Sequence, residues 1–597
     1  MSRHITSDGK QKKTIIAILL MAAIALASIG VYQVLAVGYS GNAYQNTTDL
    51  WIQEVHTNYL DSDQFFVSGV NITDWMAAHT TGGATGSNYS VGPYSYIISQ
   101  NGTGVLATNT TTGNLDYYAA GYDIASVLAS CVHAITDNDA GNQGGSIFIK
   151  RSLQPASYTI PGRFAVSIDY NITDTVQISE GVSIYSEGAM LNMSMLNKTA
   201  LEFYSTTGTS VYSAKHSNIV VHSLGFVGYD SESNTNSSAI IVNCAGKLTE
   251  LTNIVAYETS MPIQVLGPSY RVLMQNCFLE GAASGHYGTY GVYIDDGAST
   301  GNYPNGVTIS ACDISGFNEG IRVNGGYGVK ISNCYFEANN KAISLEGGTT
   351  PMIENCFMQT PAAATGQMGI YIHGSNQRLA ISNCYLEMNN GDYGVYNDVS
   401  STIATITGTH FYAASSTAGY CIYANATMAG SMSGCRIQCA GVTATYGMYG
   451  AFTRFNMGDT MVIGGLKGIY QTGSNTQFDN VKFYNLGTAL ELTGNNNLVT
   501  SCYFDAPATA VTVSGTGNKF SGNFNFTTEN SGAQAVTSGT TTASIAHGCS
   551  GAPDYVQLSA NYNSGAYVTS IDATYIYIAY TNPGATKAIY WTAVYVP

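Results

Sequence analysis

The sequence is poor in charge and in proline. Only 10% of its 597 residues are charged and 12 are proline, whereas ordinary soluble domains carry about 25% charged residues. Lys and Arg number 21 against 37 Asp and Glu, a net charge of −16, so we expect no nucleic-acid partner. Hydrophobic residues make up 45% of the chain, which excludes bulk disorder. These proportions predict a large, weakly charged folded protein.

Patterns that bind metals are also missing. The 12 cysteines include no Cys-x-x-Cys pair and the 10 histidines are scattered, so we expect no zinc site and no cofactor. Seven cysteines instead share one position of a repeat: Cys277, Cys312, Cys334, Cys356, Cys384, Cys435 and Cys502. We interpret them as an inward-facing ladder of small side chains, because stacking in register rarely gives the dihedral angle of a disulfide.

The first forty residues predict export. Residues 1–13 form a basic leader with Arg3, Lys10, Lys12 and Lys13, and the apolar segment Thr14 to Val37 follows. As a helix this segment would span about 36 Å, enough for a bilayer core of about 30 Å. The charge before it predicts a single transmembrane anchor with the bulk of the chain outside. Val34 to Ala36 resembles a cleavage site, so a removable signal peptide is the alternative.

Asn-x-Ser/Thr sequons agree with an extracellular or virion-surface location. Attached sugars would hydrate a surface that has little charge. The eleven candidate asparagines are Asn46, Asn71, Asn88, Asn101, Asn109, Asn171, Asn192, Asn197, Asn236, Asn425 and Asn525.

A repeat fills the middle of the chain. Asn276 to Glu280 reads Asn-Cys-Phe-Leu-Glu, and close copies start at Asn333, Asn355, Asn383 and Ser501. With degenerate copies, the repeated position falls at 277, 312, 334, 356, 384, 409, 435, 481, 502 and 523, and most intervals are 21 to 28 residues. The longer interval from 435 to 481 predicts two coils. Short alternating runs bounded by Gly, Asn and Ser indicate strands joined by tight turns.

Such a period predicts an all-β parallel β-helix of about a dozen coils over residues 116–530. The pattern resembles the right-handed parallel β-helix superfamily of pectate lyases, polygalacturonases and phage tailspikes. A predicted amphipathic helix over 123–135 resembles the capping helix of such proteins. Residues 38–115 are interpreted as a stalk or small β module. Residues 531–597 contain antiparallel-type strands and resemble the small β-sandwich that ends phage tail fibres.

Outward-facing carboxylates are the candidate catalytic residues. Glu337 and Glu387 are expected two coils apart, about 10 Å between backbones, near the carboxyl separation of inverting glycosidases. Asp392 could join them. The alternative is that these residues only hydrate one face of the helix. Candidate aromatic platforms for a glycan are Tyr371, Tyr385, Tyr396 and Tyr412, although tyrosines also pack along β surfaces.

Three functions are consistent with these features. The first is a membrane-anchored, tailspike-like spike or adhesin that recognises a glycan or another envelope component. The second is an exported polysaccharide hydrolase or lyase that acts in the groove of the β-helix. The third is a structural surface-layer or coat subunit. Resemblance to tailspikes also implies a homotrimer. The fold alone does not choose among the three, because β-helices host binding, cleavage and scaffolding.

Overall fold

A computed structural model gives the structure of most of the chain. It describes residues 94–137, 145–160, 164–179, 181–193, 198–204, 219–228, 237–243, 248–267, 269–281, 288–296, 303–347, 350–361, 365–374, 378–389, 392–414, 419–440 and 445–597, and the backbone of 66–67 and 70–71. The predicted anchor, residues 14–37, lies outside these ranges, as do the side chains of Asn46, Asn71, Asn88, Asn197 and Asn236. Within them, no helix is long and apolar enough to cross a membrane.

The chain divides into two compact units, 1–91 and 92–597. In the first, β1 (Phe66–Val67) and β2 (Val70–Asn71) form an antiparallel pair. The second holds the coils and begins inside the segment 38–115 that was expected to be separate. Its first elements are β3 (Tyr96–Gln100), β4 (Gly104–Asn109), β5 (Leu115–Ala120), α1 (Ala125–Asp137), β6 (Gly145–Ile149), β7 (Ala156–Thr159) and β8 (Ala165–Ile168).

The following strands form the coils. They are β9 (Tyr170–Asn171), β10 (Val176–Ser179), β11 (Val182–Ser186), β12 (Met190–Asn192), β13 (Thr199–Tyr204), β14 (Ile219–His222), β15 (Gly225–Val227), β16 (Ser238–Asn243), β17 (Thr249–Thr252), β18 (Val255–Tyr257), β19 (Ile263–Leu266), β20 (Val272–Gln275), β21 (Phe278–Glu280), β22 (Gly288–Asp295), β23 (Thr308–Ser310), β24 (Asp313–Ser315), β25 (Phe317–Val323), β26 (Lys330–Ser332), β27 (Tyr335–Glu337), β28 (Lys341–Leu345), β29 (Met352–Glu354), β30 (Phe357–Gln359), β31 (Met368–Ile372), β32 (Arg378–Ser382), β33 (Tyr385–Met388), β34 (Tyr393–Asn397), β35 (Thr402–Thr407), β36 (His410–Ala413), β37 (Tyr420–Ser433), β38 (Arg436–Cys439), β39 (Tyr446–Gly458), β40 (Met461–Ile463), β41 (Lys467–Gln471), β42 (Gln477–Asp479), β43 (Lys482–Tyr484), β44 (Thr488–Leu492), β45 (Leu498–Thr500), β46 (Tyr503–Asp505), β47 (Thr509–Val513) and β48 (Lys519–Ser521).

These strands stack into three parallel ladders. Ladder 1 holds β6, β11, β14, β17, β20, β23, β26, β29, β32, β35, β42, β45 and β48, and ladder 3 holds β10, β13, β16, β19, β22, β25, β28, β31, β34, β41, β44 and β47; β37 and β39 run through both. Ladder 2 is the 14-stranded sheet of β9, β12, β15, β18, β21, β24, β27, β30, β33, β36, β38, β40, β43 and β46. The predicted parallel β-helix of about a dozen coils is therefore confirmed.

One corner explains the repeated Asn-Cys pair. Between ladders 1 and 2 each coil places one residue in the left-handed region, which Gly and Asn adopt most readily. These residues are Gly188, Ser223, Asn253, Asn276, Ala311, Asn333, Asn355, Asn383, Gly408, Gly434, Asp459, Asn480, Ser501 and Gly522. The next residue points inward, so the predicted cysteine ladder is confirmed: Cys277, Cys312, Cys334, Cys356, Cys384, Cys435 and Cys502 are buried, free thiols. Thr460 is the buried residue at the same position between Cys435 and Val481. The interval from 435 to 481 therefore contains two coils, as predicted.

A continuous apolar core runs through the coils. Helix α1, at the predicted position, covers its first end with Leu128, Cys131 and Val132, which are buried in the same cluster. Asp123 accepts a hydrogen bond from the Ala125 amide at 3.1 Å, which caps this helix. A cap is required because the first coil would otherwise expose apolar side chains.

The C-terminal residues form two three-stranded antiparallel sheets. One has the order β49 (Glu529–Val536), β54 (Lys587–Val594), β51 (Tyr555–Ala560), and the other β50 (Thr542–Ala546), β53 (Tyr575–Ala579), β52 (Tyr567–Ile571). Residues of both sheets, including Ile545, Ile578 and Trp591, share a second hydrophobic cluster. Tyr595 contacts Phe526 of the last coil with ring centroids 6.3 Å apart, which links this C-terminal module to the coils.

Candidate functional site

Ladder 2 presents two columns of outward side chains. The first column runs Phe278, Asp313, Tyr335, Phe357, Tyr385 and His410 on successive coils, and the second runs Glu280, Ser315, Glu337, Gln359, Glu387 and Tyr412. The register therefore places Glu337 and Glu387 two coils apart with Gln359 between them. Successive coils lie about 4.8 Å apart, so the backbones of the two glutamates are separated by about 10 Å.

Aromatic rings fill most of the first column. Tyr335 and Phe357 stack with centroids 4.9 Å apart, and Phe357 and Tyr385 at 5.3 Å. The His410 ring packs edge-on against the other face of Tyr385, with ring centroids 4.9 Å apart. Both faces of the Tyr385 ring are therefore covered. Tyr335 ends the stack, because the coil above it carries the short side chain of Asp313. Tyr335 is 38% exposed, and among the described residues no ring stacks on its side toward Asp313.

Asp313 and Ser315 are shorter than their neighbours in the two columns, and we call the surface over them the notch of ladder 2. Phe278 and Glu280 border it on one side, Tyr335 and Glu337 on the other, and these borders are two coils, or about 10 Å, apart. The notch thus combines an aromatic ring with carboxylates, as ligand sites combine an apolar surface with a few polar groups.

The carboxyl group of Asp313 differs from an exposed one. Its side chain is half-buried, and desolvation by burial, followed by the nearby Glu337 charge, raises the pKa of Asp313. The Tyr335 hydroxyl lies 3.4 Å from Glu337 Oε2. A carboxyl group with a raised pKa beside a second carboxyl group is an arrangement that general acid catalysis can use.

Asp392 does not lie on this surface. Its side chain is fully buried, and it accepts hydrogen bonds from the Thr360 hydroxyl at 2.6 Å and the Gln367 amide at 2.9 Å. Burial raises its pKa. Asp392 therefore stabilises the corner between ladders 2 and 3. The prediction that it joins Glu337 and Glu387 at one site is wrong, because its side chain points into the protein.

The four tyrosines proposed as platforms fall on two different ladders. Tyr385 and Tyr412 belong to ladder 2, whereas Tyr371 and Tyr396 belong to ladder 3. There they form part of a tyrosine strip, two adjacent columns of half-buried side chains. The strip consists of Tyr371, Tyr396, Tyr423, Tyr449 and Tyr470 in one column and Tyr393, Tyr420 and Tyr446 in the other.

The rings of the tyrosine strip stack on one another along the coil axis. Tyr423 and Tyr449, for example, have centroids 5.3 Å apart and planes 3° apart. At one end the Lys341 ammonium lies 4.4 Å from the centre of the Tyr371 ring, and at the other Lys467 lies 4.7 Å from that of Tyr470. Ring faces are therefore occupied, and the strip offers solvent mainly ring edges and hydroxyl groups.

Charged pairs border the strip. Lys341 binds Glu319 at 2.9 Å and Lys467 binds Glu491 at 2.6 Å. Above Lys341, the Arg322 guanidinium lies 3.1 Å from Glu346 and donates to the Tyr290 hydroxyl at 2.9 Å. Because each cation has a carboxylate partner, the strip carries little net charge.

Sequence reasoning did not identify Asp313 or Ser315, the two residues that shape the notch. Asp313 belongs to a degenerate copy of the repeat, and nothing in its local sequence shows that Phe278 and Tyr335 flank it. His410 was also missed: its Nε2 is buried without a hydrogen-bond partner, and burial, followed by Arg436, lowers its pKa. The alignment of successive coils was the signal that could have identified Asp313 and His410. In the described part of the chain, no group of three His, Cys, Asp or Glu side chains is placed to hold a metal ion.

One family model matches the fold of the coils. Residues 263–447 match the family model of the right-handed β-helix region. Among solved structures, the surface adhesin PfbA of Streptococcus pneumoniae is 10% identical, with a TM-score of 0.34, and the match covers 68% of this chain and 89% of the adhesin. A double mutant of the tailspike protein of E. coli bacteriophage HK620 is 10% identical with a TM-score of 0.43, covering 81% and 92%.

The catalytic domain of a GH87 α-1,3-glucanase in complex with nigerose is 12% identical with a TM-score of 0.33, covering 67% of this chain and 68% of the glucanase. At these identities and scores the likenesses carry no information on ligand or activity. No curated protein is similar to the chain in sequence.

Proposed function

We propose that this chain, a member of the right-handed β-helix superfamily, is an exported surface protein that binds a glycan at the notch of ladder 2. The apolar segment Thr14 to Val37 would tether it to a membrane, and the coils would present the notch to the envelope of another cell or of a host. By resemblance to tailspikes it would act as a homotrimer with a C-terminal β-sandwich. Several copies would then strengthen weak binding at each site.

The observation that supports binding is the free end of the aromatic column at Tyr335. One face of this ring stacks on Phe357, and the opposite side adjoins the recess over Asp313 and Ser315. A sugar ring can stack its apolar face on the free side of Tyr335. The carboxylate of Glu337 at the border can accept hydrogen bonds from its hydroxyl groups.

Binding is tested with the full-length chain in mild detergent and polysaccharides purified from candidate envelopes. Truncating an aromatic anchor costs more than about 1 kcal/mol, so Tyr335→Ala is expected to weaken binding about tenfold. Tyr503 occupies the same column far from the notch, and Tyr503→Ala is the matched control. Equal affinity of the two variants would exclude the notch as the binding site.

Cleavage of the bound glycan is the second candidate function. It is favoured by the raised pKa of Asp313 next to Glu337, since glycoside hydrolysis uses one carboxyl group as an acid and another as a base or nucleophile. New reducing ends that disappear in Asp313→Asn and Glu337→Gln would establish it. Glu387→Gln tests the more distant carboxylate of the predicted pair.

The control for cleavage is Asp505→Asn, because Asp505 lies in the second column of ladder 2 at the far end of the coils. Retention of the glycan without new chain ends would identify an attachment protein. Neither binding nor cleavage, with any envelope polysaccharide, would leave the structural coat subunit as the function.

A further inference from the structure

The sequon at Asn425 has an exposed side chain whose amide nitrogen makes no hydrogen bond among the described residues, unlike most sequons in the described ranges. The amide nitrogens of Asn109, Asn192 and Asn525 donate hydrogen bonds within the protein, at 2.9 Å, 3.1 Å and 3.0 Å. Asn171 accepts the bond from Asn192 and is half-buried. Asn101 and Asn425 are exposed, and the Nδ2 atom of each is unengaged among the described residues.

Asn425 lies directly beside the tyrosine strip. In β37, Tyr423 points outward, Ala424 is buried and Asn425 is exposed, so Asn425 is two residues, or about 7 Å, along the strand from Tyr423. On the next coil Ala424 is paired with Gly450. Asn425 itself has no register partner on that coil.

The backbone at this position is open as well. The pairing of β37 with β39 shifts register between Ala424 and Met428, so residues 425–427 leave the regular ladder. Thr427, the hydroxyl residue of the sequon, is exposed. An enzyme that must reach both side chains of a sequon finds them together at this irregularity.

We propose that Asn425 is an N-glycosylation site and that its glycan lies over the tyrosine strip. The modifying enzyme joins Asn425 Nδ2 to C1 of the reducing-end sugar of a polyprenyl-phosphate-linked oligosaccharide. The bond between C1 and the phosphate oxygen breaks, the lipid phosphate leaves, and the amide nitrogen loses one proton. The tyrosine hydroxyl groups then offer hydrogen bonds to the sugars. This inference concerns ladder 3 and does not depend on binding at the notch of ladder 2.

The test uses the full-length chain expressed through the secretory pathway of a eukaryotic cell. Mass spectrometry of peptides measures occupancy at Asn425 and Asn101. Nitration by tetranitromethane then measures the accessibility of Tyr423 and Tyr449. Thr427→Ala removes the sequon and keeps both tyrosines, and Asn425→Gln removes it independently. Thr103→Ala removes the exposed sequon at Asn101 and is the matched control.

We expect Asn425 to be modified. Loss of its bulky glycan should raise nitration of Tyr423 and Tyr449 about twofold in Thr427→Ala and Asn425→Gln. Tyr555 and Tyr567 of the C-terminal module should keep their nitration, and Thr103→Ala should behave like the parent chain. An unmodified Asn425 would overturn the site. A modified Asn425 whose removal leaves the nitration of the strip unchanged would overturn the placement of the glycan.

Discussion

The corner before Cys334 gives the sharpest test of how the coils are held. Asn333 has a φ of 55°, which Asn tolerates and a β-branched residue does not. A left-handed conformation costs about 1–2 kcal/mol per residue for ordinary side chains, and valine belongs at the upper end. We therefore expect Asn333→Val to destabilise this corner by about 2 kcal/mol.

The neighbouring thiol reports the change directly. Cys334 is only 2% exposed, so a thiol reagent reaches it when the corner opens. A loss of about 2 kcal/mol raises the open population about 30-fold, and labelling of Cys334 by N-ethylmaleimide should accelerate by that factor. Site-resolved mass spectrometry measures the rate. Cys502 lies many coils away and should react at its parental rate, because each coil contacts only its neighbours.

Two variants separate the backbone effect from a general effect of valine. Asn333→Gly keeps the left-handed corner accessible and should change labelling much less. Asn456 is exposed in a strand, where valine is favourable, so Asn456→Val should leave Cys334 unchanged. If Asn333→Val and Asn333→Gly label Cys334 at the same rate, backbone conformation does not control the corner and the reasoning fails.

Two further predictions concern buried polar groups. Gln471 is fully buried, and its side-chain amide donates to the Phe452 carbonyl at 2.6 Å and accepts from the Phe452 backbone amide at 3.2 Å. Gln471→Leu should therefore lower the free energy of unfolding, measured with urea, by about 1–3 kcal/mol. The control Gln477→Leu, at an exposed position, should leave it unchanged. Burial raises the pKa of Asp313, so the native state binds its proton more tightly than the unfolded chain, and stability falls as pH rises through the native pKa. Asp313→Asn should then melt at a higher temperature than the parent chain near neutral pH and at the same temperature in acid, and a gap that persists in acid would contradict this assignment.

The sequence predicts the coils because their corner has a chemical signature. Asn in the left-handed region followed by a buried Cys recurs often enough to be recognised. Earlier corners at Gly188, Ser223 and Asn253 carry Ala, Leu and Ile at the inward position. They were missed because the corner requires only a residue that tolerates a positive φ and then an apolar one. Many local sequences satisfy that requirement, so the degenerate copies give no visible repeat.

The candidate site was less predictable because it depends on neighbours from other coils. Glu337 and Glu387 could be placed two coils apart, since the coils between them have regular lengths. Asp313 lies one regular interval of 22 residues before Tyr335, but its other neighbour was harder to place, because 35 residues separate Cys277 from Cys312 and that coil is longer than the repeat. Asp392 follows Glu387 closely in sequence, yet a corner lies between them and its carboxylate turns inward.

Stacking along the coil axis decides which aromatic side chains can bind a ligand. In a β-helix, identical residues on successive coils are brought to about the spacing of stacked rings, so a column of tyrosines uses its own ring faces. The rings of Tyr396 and Tyr423, with centroids 5.1 Å apart, therefore stabilise the coils and leave no ring face for a sugar between them. A free face arises where a column is interrupted, as at Tyr335 next to Asp313. An outward column that loses its periodicity is therefore a better indication of a binding site in this fold than an unbroken one.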